Sequence, residues 1–156
     1  MRRLLVLLAA LTLVVLGGIP AQGVGADQAF IATPSGDQEV PPNDSKARGS
    51  ARFVVAADGS EIDFTLALGN IDNVFAAHIH CAPPGVNGPI GVTLFMGSGA
   101  GSGLLASGTI TAPDAGNTCG WTTVQEVITA LESGDTYVNV HTNPGFPGGE
   151  IRGQVR

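Results

Sequence analysis

Between Ala51 and Leu68 the chain alternates in polarity. Ile62, Phe64, Leu66 and Leu68 are apolar, and Glu61, Asp63, Thr65 and Ala67 stand between them. Side chains at i and i+2 of a strand share a face, so this pattern predicts a strand with one buried side. The run Ala51–Ala56 precedes it, and Asp58-Gly59 lies between the two. Asp-Gly between alternating runs is a strong hairpin signal, because Gly takes positive φ without a side-chain clash. Six further segments read as strands: Ala29–Thr33, Val74–Cys81, Ile90–Phe95, Leu105–Thr111, Tyr137–Thr142 and Glu150–Val155. Eight short strands at fairly regular spacing predict an all-β, antiparallel, Greek-key-like β-sandwich. The 23 Gly among 156 residues argue the same way, since each Gly inside a helix costs roughly 1 kcal/mol relative to Ala.

One short helix is expected near 123–133. Thr123 and Glu126 have the spacing of a capping box, in which each side chain satisfies a free backbone N–H of the other. Val124, Val127, Ile128 and Leu131 form one apolar stripe, and Gly134 suits the left-handed position that ends a helix. The helix is expected to cover an open end or edge of the sandwich. Gly97–Gly103, "GSGAGSG", lacks the Lys-Ser/Thr and the helix start of a phosphate loop and reads as a flexible strand connector.

The N-terminus reads as a sorting signal. Arg2 and Arg3 precede a 13-residue run, Leu4–Leu16, that is apolar except for Thr12. A membrane-spanning helix needs about 20 such residues. Gly17, Gly18 and Pro20 follow, then the small residues of Val24–Ala26. Residues 1–26 are expected to be a secretory signal peptide cleaved after Ala26, with Ala21 as the second choice, leaving one domain over 27–156 and no stable membrane anchor. Without its leader the chain has 130 residues, and losing Arg2 and Arg3 takes its formal charge from −6 to −8. Such acidity excludes a nucleic-acid partner, which requires a basic patch. A secreted or periplasmic location is oxidising. Cys81 and Cys119, the only cysteines, are therefore expected to pair. In the chain-entropy model, closing a loop of that length stabilises by about 4 kcal/mol. Asn43-Asp44-Ser45 is a formal glycosylation sequon.

The three histidines carry the chemistry. His78 and His80 share one face of their strand, while Ala77, Ile79 and Cys81 face the other way. Val138 and Val140 read as buried, which puts Tyr137, Asn139 and His141 on the opposite face. If the two strands are neighbours, the three imidazoles converge, and neutral imidazoles suit copper, zinc or nickel. The competing reading is a solvated or hydrogen-bonded polar strip beside the loop "PPGVNGP".

Three blocks together resemble the CHRD (chordin) domain family: Ser35–Pro42 ("SGDQEVPP"), Ala76–Phe95 ("AAHIHCAPPGVNGPIGVTLF") and Tyr137–Val155 ("YVNVHTNPGFPGGEIRGQV"). They occur in family order, from about Phe30 to Arg156. The motif positions are Glu39, Pro41, Pro42, Asn87, Gly88, Pro89, Asn139, Glu150, Arg152 and Gly153. The resemblance implies a secreted single-domain sandwich, of immunoglobulin or superoxide-dismutase type, and supplies a fold and a compartment more than a reaction. Cys81-Ala82-Pro83-Pro84 departs from the Gly-rich turn usual after the second histidine. A weaker similarity is to copper/zinc superoxide dismutase, whose copper ligands His78, His80 and His141 would match by position. That site uses further histidines, and this chain has no others.

Other reactions have little support. No GxSxG elbow and no HExxH helix occurs. Glu39 and Glu150 could be imagined as a hydrolytic carboxylate pair, but acidic residues near turns are usually solvated. Arg152 is expected to pair with Glu150 or another carboxylate across the sheet. The expected protein is thus a secreted, non-catalytic module that binds an extracytoplasmic protein or surface ligand. The alternative is a copper or zinc protein using His78, His80 and His141.

Overall fold

The computed structural model describes residues 27–156; the leader expected over 1–26 lies outside them. Eight strands form: β1 (Gln28–Ala32), β2 (Arg48–Val55), β3 (Ile62–Gly69), β4 (Val74–Cys81), β5 (Ile90–Ala100), β6 (Gly103–Ile110), β7 (Thr136–Thr142) and β8 (Ile151–Gln154). Each overlaps one of the eight sequence segments, with β2 starting three residues earlier than expected and β5 ending five residues later. The one α-helix among the described residues, α1 (Val124–Ser133), lies between β6 and β7. No described helix is long and apolar enough to cross a membrane.

Two antiparallel four-stranded sheets result, ordered β1-β2-β3-β6 and β5-β4-β7-β8. Successive strands β4, β5 and β6 cross from the second sheet back to the first, where β6 lies beside β3, giving the Greek-key connection expected. The first hairpin turns where Asp58-Gly59 predicts. Val55 faces Ile62 in the ladder, Gly59 has φ +71°, and the Asp58 carboxylate accepts the Ser60 N–H at 2.9 Å.

The alternation places the core between the sheets. Ala51, Phe53, Phe64 and Leu66 from the first sheet meet Ile79, Val92, Val138, Val140 and Ile151 from the second, and all are buried. Helix α1 adds Val124, Val127, Ile128 and Leu131 to the same core. Its capping box is complete, and Gly134 takes the left-handed conformation at φ +74°. Gln125 donates to the Gly59 carbonyl at 3.1 Å, so the helix closes the end of the sandwich where the β2–β3 turn lies.

Two features differ from the sequence reading. The glycine-rich segment is not wholly a connector: β5 continues through Gly97–Ala100, with Ala100 paired to Val74. Gly does not forbid extended backbone, and the β4 partner supplies the ladder. Second, β7 is buried at every residue, on both faces, because the loops 82–89 and 143–149 fold over the outer side of the second sheet.

Candidate metal centre

The outer face of the second sheet carries the side chains that alternate with its core residues. In the β4–β7 ladder His78 lies opposite Asn139, His80 opposite Tyr137 and Ala76 opposite His141. Asn139 is in turn opposite Arg152 on β8. Strand pairing thus brings the three histidines onto one patch. Ring centroids are 5.7 Å apart for His78–His80, 5.1 Å for His78–His141 and 6.1 Å for His80–His141. One nitrogen from each ring lies within 4.8 Å of the others. Three imidazole nitrogens held by one zinc at ~2.1 Å stand roughly 3.5 Å apart, so small side-chain rotations bring the set into coordination range.

The patch is interior. Each histidine is only 8% exposed, which sets aside a solvated polar strip. The loop 82–89 covers it from one side and the loop 143–149 from another, and each supplies a carbonyl. His80 Nδ1 hydrogen-bonds the Gly88 carbonyl at 2.9 Å, and His141 Nδ1 the Pro147 carbonyl at 3.1 Å. A carbonyl only accepts, so both Nδ1 atoms carry the proton and both Nε2 atoms present lone pairs. His80 Nε2, His141 Nε2 and His78 Nδ1 are all buried without a hydrogen-bond partner. Burial also lowers the basicity of all three rings. Desolvation takes His78 down to about 4, reinforced by the neighbouring His141 and His80. Desolvation also lowers His80 and His141. The rings are therefore neutral at pH 7, the form in which imidazole binds a metal ion.

The motif residues build the support around this patch. Tyr137 stacks on His80 with centroids 4.8 Å apart, and the Arg152 guanidinium lies 3.5 Å from the centre of the Tyr137 ring. The Tyr137 hydroxyl accepts the Gly88 N–H at 3.1 Å. Arg152, 2% exposed, donates to Asn87 Oδ1 at 3.1 Å and to the Val86 carbonyl at 2.8 Å. Asn87 donates onward to the Val40 carbonyl at 2.8 Å, joining the 82–89 loop to the segment bearing Glu39, Pro41 and Pro42. Gly88 must be glycine, since a Cβ there would stand 2.0 Å from the Cys81 carbonyl oxygen. Pro89 accepts the Cys81 N–H at 3.1 Å. Gly153 lets β8 press on Pro34, whose nitrogen would lie 2.7 Å from an added Cβ. Pro41 and Pro42 wall an outer cleft of about 420 Å³ together with Phe146 and Pro147.

Three expectations about charged residues change. Arg152 turns its donors to loop carbonyls and Asn87 rather than to Glu150, because the 82–89 loop folds over β8. Glu150 instead accepts from Ser45 and Thr142, each at 2.6 Å. Glu39 is not solvated: it is 7% exposed, and desolvation raises its pKa to about 7 against the opposing pull of Arg152. Its Oε1 and Asn139 Oδ1 both lack partners, and both lie 2.7 Å from where a Cβ on Gly149 would stand. Sequence reading missed this burial, which arises from loop paths that no local periodicity records. The Cys81–Cys119 disulfide forms as expected and ties the 112–121 segment to the end of β4.

These shifts set a pH dependence. A histidine whose folded pKa is depressed leaves the unfolded chain binding more protons, so its contribution is complete above about 6.5 and is lost as the pH falls towards 4. For His78 the loss is about 2–3 kcal/mol; His80 and His141 act in the same direction. Glu39 opposes them, because its raised pKa makes the folded state the better proton binder between 4.5 and about 7. Urea unfolding in the presence of a chelator should show stability falling from pH 7 to pH 5, and falling more steeply in Glu39→Gln. A flat profile in both proteins would contradict the burial of the histidines.

A comparison with protein families finds the CHRD domain matching residues 30–155. No match is found among curated proteins or among solved structures. The matched span contains the three motif blocks, strands β2 to β8 with β1 from Phe30 on, and the three histidines. The chain belongs to the CHRD domain family.

Proposed function

We propose that this protein is a secreted, non-catalytic CHRD module that binds a copper or zinc ion through His78, His80 and His141. The observation that carries the reading is that three buried rings bring a nitrogen each within 4.8 Å of the others, and that each ring has a buried nitrogen without a hydrogen-bond partner. Two of them have their tautomer fixed by a carbonyl bond on the far side of the ring. Backbone carbonyls on the distal nitrogen are the usual means by which a protein orients metal-binding imidazoles. Converging lone pairs repel one another, and a cation removes that repulsion. The donor set is all nitrogen, which favours borderline ions such as Cu(II) and Zn(II) over the oxygen-seeking Mg(II) and Ca(II). Three protein ligands leave a coordination position open.

Extracytoplasmic placement is supported by the disulfide, since such bonds persist in oxidising compartments, and by the leader-like sequence of residues 1–26. The non-catalytic role rests on the sequence, which lacks a complete hydrolytic or dismutase constellation.

Calorimetric titration tests the reading. The purified protein is expected to bind Cu(II) or Zn(II) one to one with a sub-micromolar Kd. His78→Ala and His141→Ala should each weaken binding by about 100-fold or more, since even the outer partners of metal ligands are worth 10–100-fold. Binding no tighter than that of a control with a lone surface histidine would show the patch to be a structural polar cluster.

A further inference from the structure

A cleft of about 570 Å³ lies between α1 and the end of β4, and none of the three histidines lines it. That volume falls in the ~300–1,000 Å³ range of small-ligand sites. Its lining is mostly carbon, from the Trp121 indole, Ala82, Pro83 and Ala130. The Thr129 and Ser133 hydroxyls also border it, but they are bonded to the Gln125 and Ala130 carbonyls at 2.9 and 3.0 Å. Trp121 is held firmly. Its N–H donates to Asn117 Oδ1 at 3.3 Å, and Asn117 Nδ2 donates back to its carbonyl at 2.8 Å. The disulfide at Cys119 anchors the chain two residues earlier. A ring fixed in advance loses little freedom when a ligand arrives.

The charge of the cleft has one sign. Glu126 and Asp135 line it, and no Lys or Arg does. Between Arg52 and Arg152 the chain has no Lys or Arg at all. Arg152 comes near only at the Pro83 carbonyl, at 3.5 Å, and holds Asn87 and Val86 more closely. Glu126 takes its capping bonds from Thr122 and Thr123 on Oε2 alone, which leaves Oε1 without a partner. Backbone bonds from Thr122 and Thr123 hold its carboxyl below the ordinary range, so it is charged at pH 7. The last turn of α1 contributes in the same sense. A helix C-terminus is a negative pole that normally attracts Lys, Arg or protonated His. Here the last turn has no basic residue, and the first residue past the Gly134 cap is Asp135.

We propose that this cleft binds a small organic ammonium ion that carries an apolar group. The carbon lining takes the apolar group, and the indole is the aromatic ring that attracts a cation most strongly. The two carboxylates and the helix terminus select the charge. An anion would be repelled by all three, and a neutral molecule would gain nothing from them. A cation relieves the mutual repulsion of Asp135 and the end of α1.

Trp121, the only tryptophan, reports occupancy through its fluorescence. The purified protein, in chelator, is titrated with phenyltrimethylammonium, benzyl alcohol and benzenesulfonate, each to about 10 mM. The ammonium ion is expected to give a saturable change with a Kd of about 10 µM to 1 mM. Benzyl alcohol should bind at least about tenfold more weakly, and benzenesulfonate should not bind. Glu126→Gln with Asp135→Asn should weaken ammonium binding about tenfold or more. Gln also completes a capping box, so the urea midpoint of that variant should stay near wild type, separating lost binding from lost folding. Ala130→Leu, which fills the cleft, should weaken binding to a similar extent. His78→Ala should bind the ammonium ion as the wild type does, so failure of the metal reading leaves this one standing. Wild type that shows no saturable change with phenyltrimethylammonium overturns the proposal. So does equal affinity for the neutral and cationic probes, or a Glu126→Gln, Asp135→Asn protein that binds as tightly as wild type.

Discussion

Replacing Arg152 by Met is expected to lower the unfolding free energy by about 3–5 kcal/mol, in the range seen when one partner of a buried charged network is removed. The change leaves the Val86 carbonyl and Asn87 Oδ1 without their donor, and each unsatisfied buried acceptor costs about 1–3 kcal/mol. It also removes the guanidinium from the face of Tyr137, a contact worth about 0.5–2 kcal/mol when desolvated. Arg152→Lys should recover little, because an ammonium cannot reach the loop acceptors and stack on the ring together. Guanidinium chloride unfolding measures the loss. Metal affinity provides a second readout. Arg152 holds the loop whose Gly88 carbonyl orients His80, so both variants should bind Cu(II) or Zn(II) about 10–100-fold more weakly in protein that remains folded. An Arg152→Met protein within about 1 kcal/mol of wild type would mean that the loop holds its shape without the guanidinium.

Removing the disulfide is the other large perturbation. Cys81→Ser with Cys119→Ser together should cost about 2–5 kcal/mol. The bridge closes a 38-residue separation, so much of the effect arises from an unfolded chain released from that constraint. A local effect accompanies it. The 112–121 segment brings Trp121 against Gly91, so closely that a Cβ on that glycine would meet the indole ring at 2.1 Å. Without the bridge this segment should loosen before the sandwich unfolds, and Trp121, the only tryptophan, reports that by fluorescence. A single transition at the wild-type midpoint would show the bridge to be energetically idle. Metal binding should persist in the double variant, because the histidines face away from Cys81.

Much of this architecture is readable in the amino-acid order because a strand's period of two is a local property. Ile62, Phe64, Leu66 and Leu68 declare a buried face by themselves, and Asp58-Gly59 marks the turn before them. The i, i+2 spacing of His78 and His80, with Val138 and Val140 marking the buried face of His141's strand, gives the facing of the three imidazoles, but their meeting depends on the two strands being neighbours, which only the β4–β7 ladder supplies. Loop paths are another matter. Nothing in "PPGVNGP" tells that it folds back over β8 and claims Arg152, so a pairing with Glu150 looked reasonable. Glu39 sits in a turn-rich segment with no periodicity, and its burial depends on Gly149 arriving from more than 100 residues away. The cleft beside Trp121 was equally hidden, because its walls come from segments that meet only in the folded chain.

The division of the histidines between β4 and β7 has a consequence in time. His80 and His141 are 61 residues apart, and they meet only when the β4–β7 ladder closes. Non-local pairings of this kind form late and slowly, typically on millisecond-to-second scales, because loop closure precedes the contacts that reward it. An unfolded chain therefore offers an ion only the His78–His80 pair, a weak and transient grip. Full coordination appears with the finished sandwich. An ion that prefers the complete set would then hold the folded state by mass action, adding about 2.7 kcal/mol at a concentration 100 times its dissociation constant. Capture would be a property of the folded protein alone, and an unfolded chain in metal-rich surroundings would not be trapped by them.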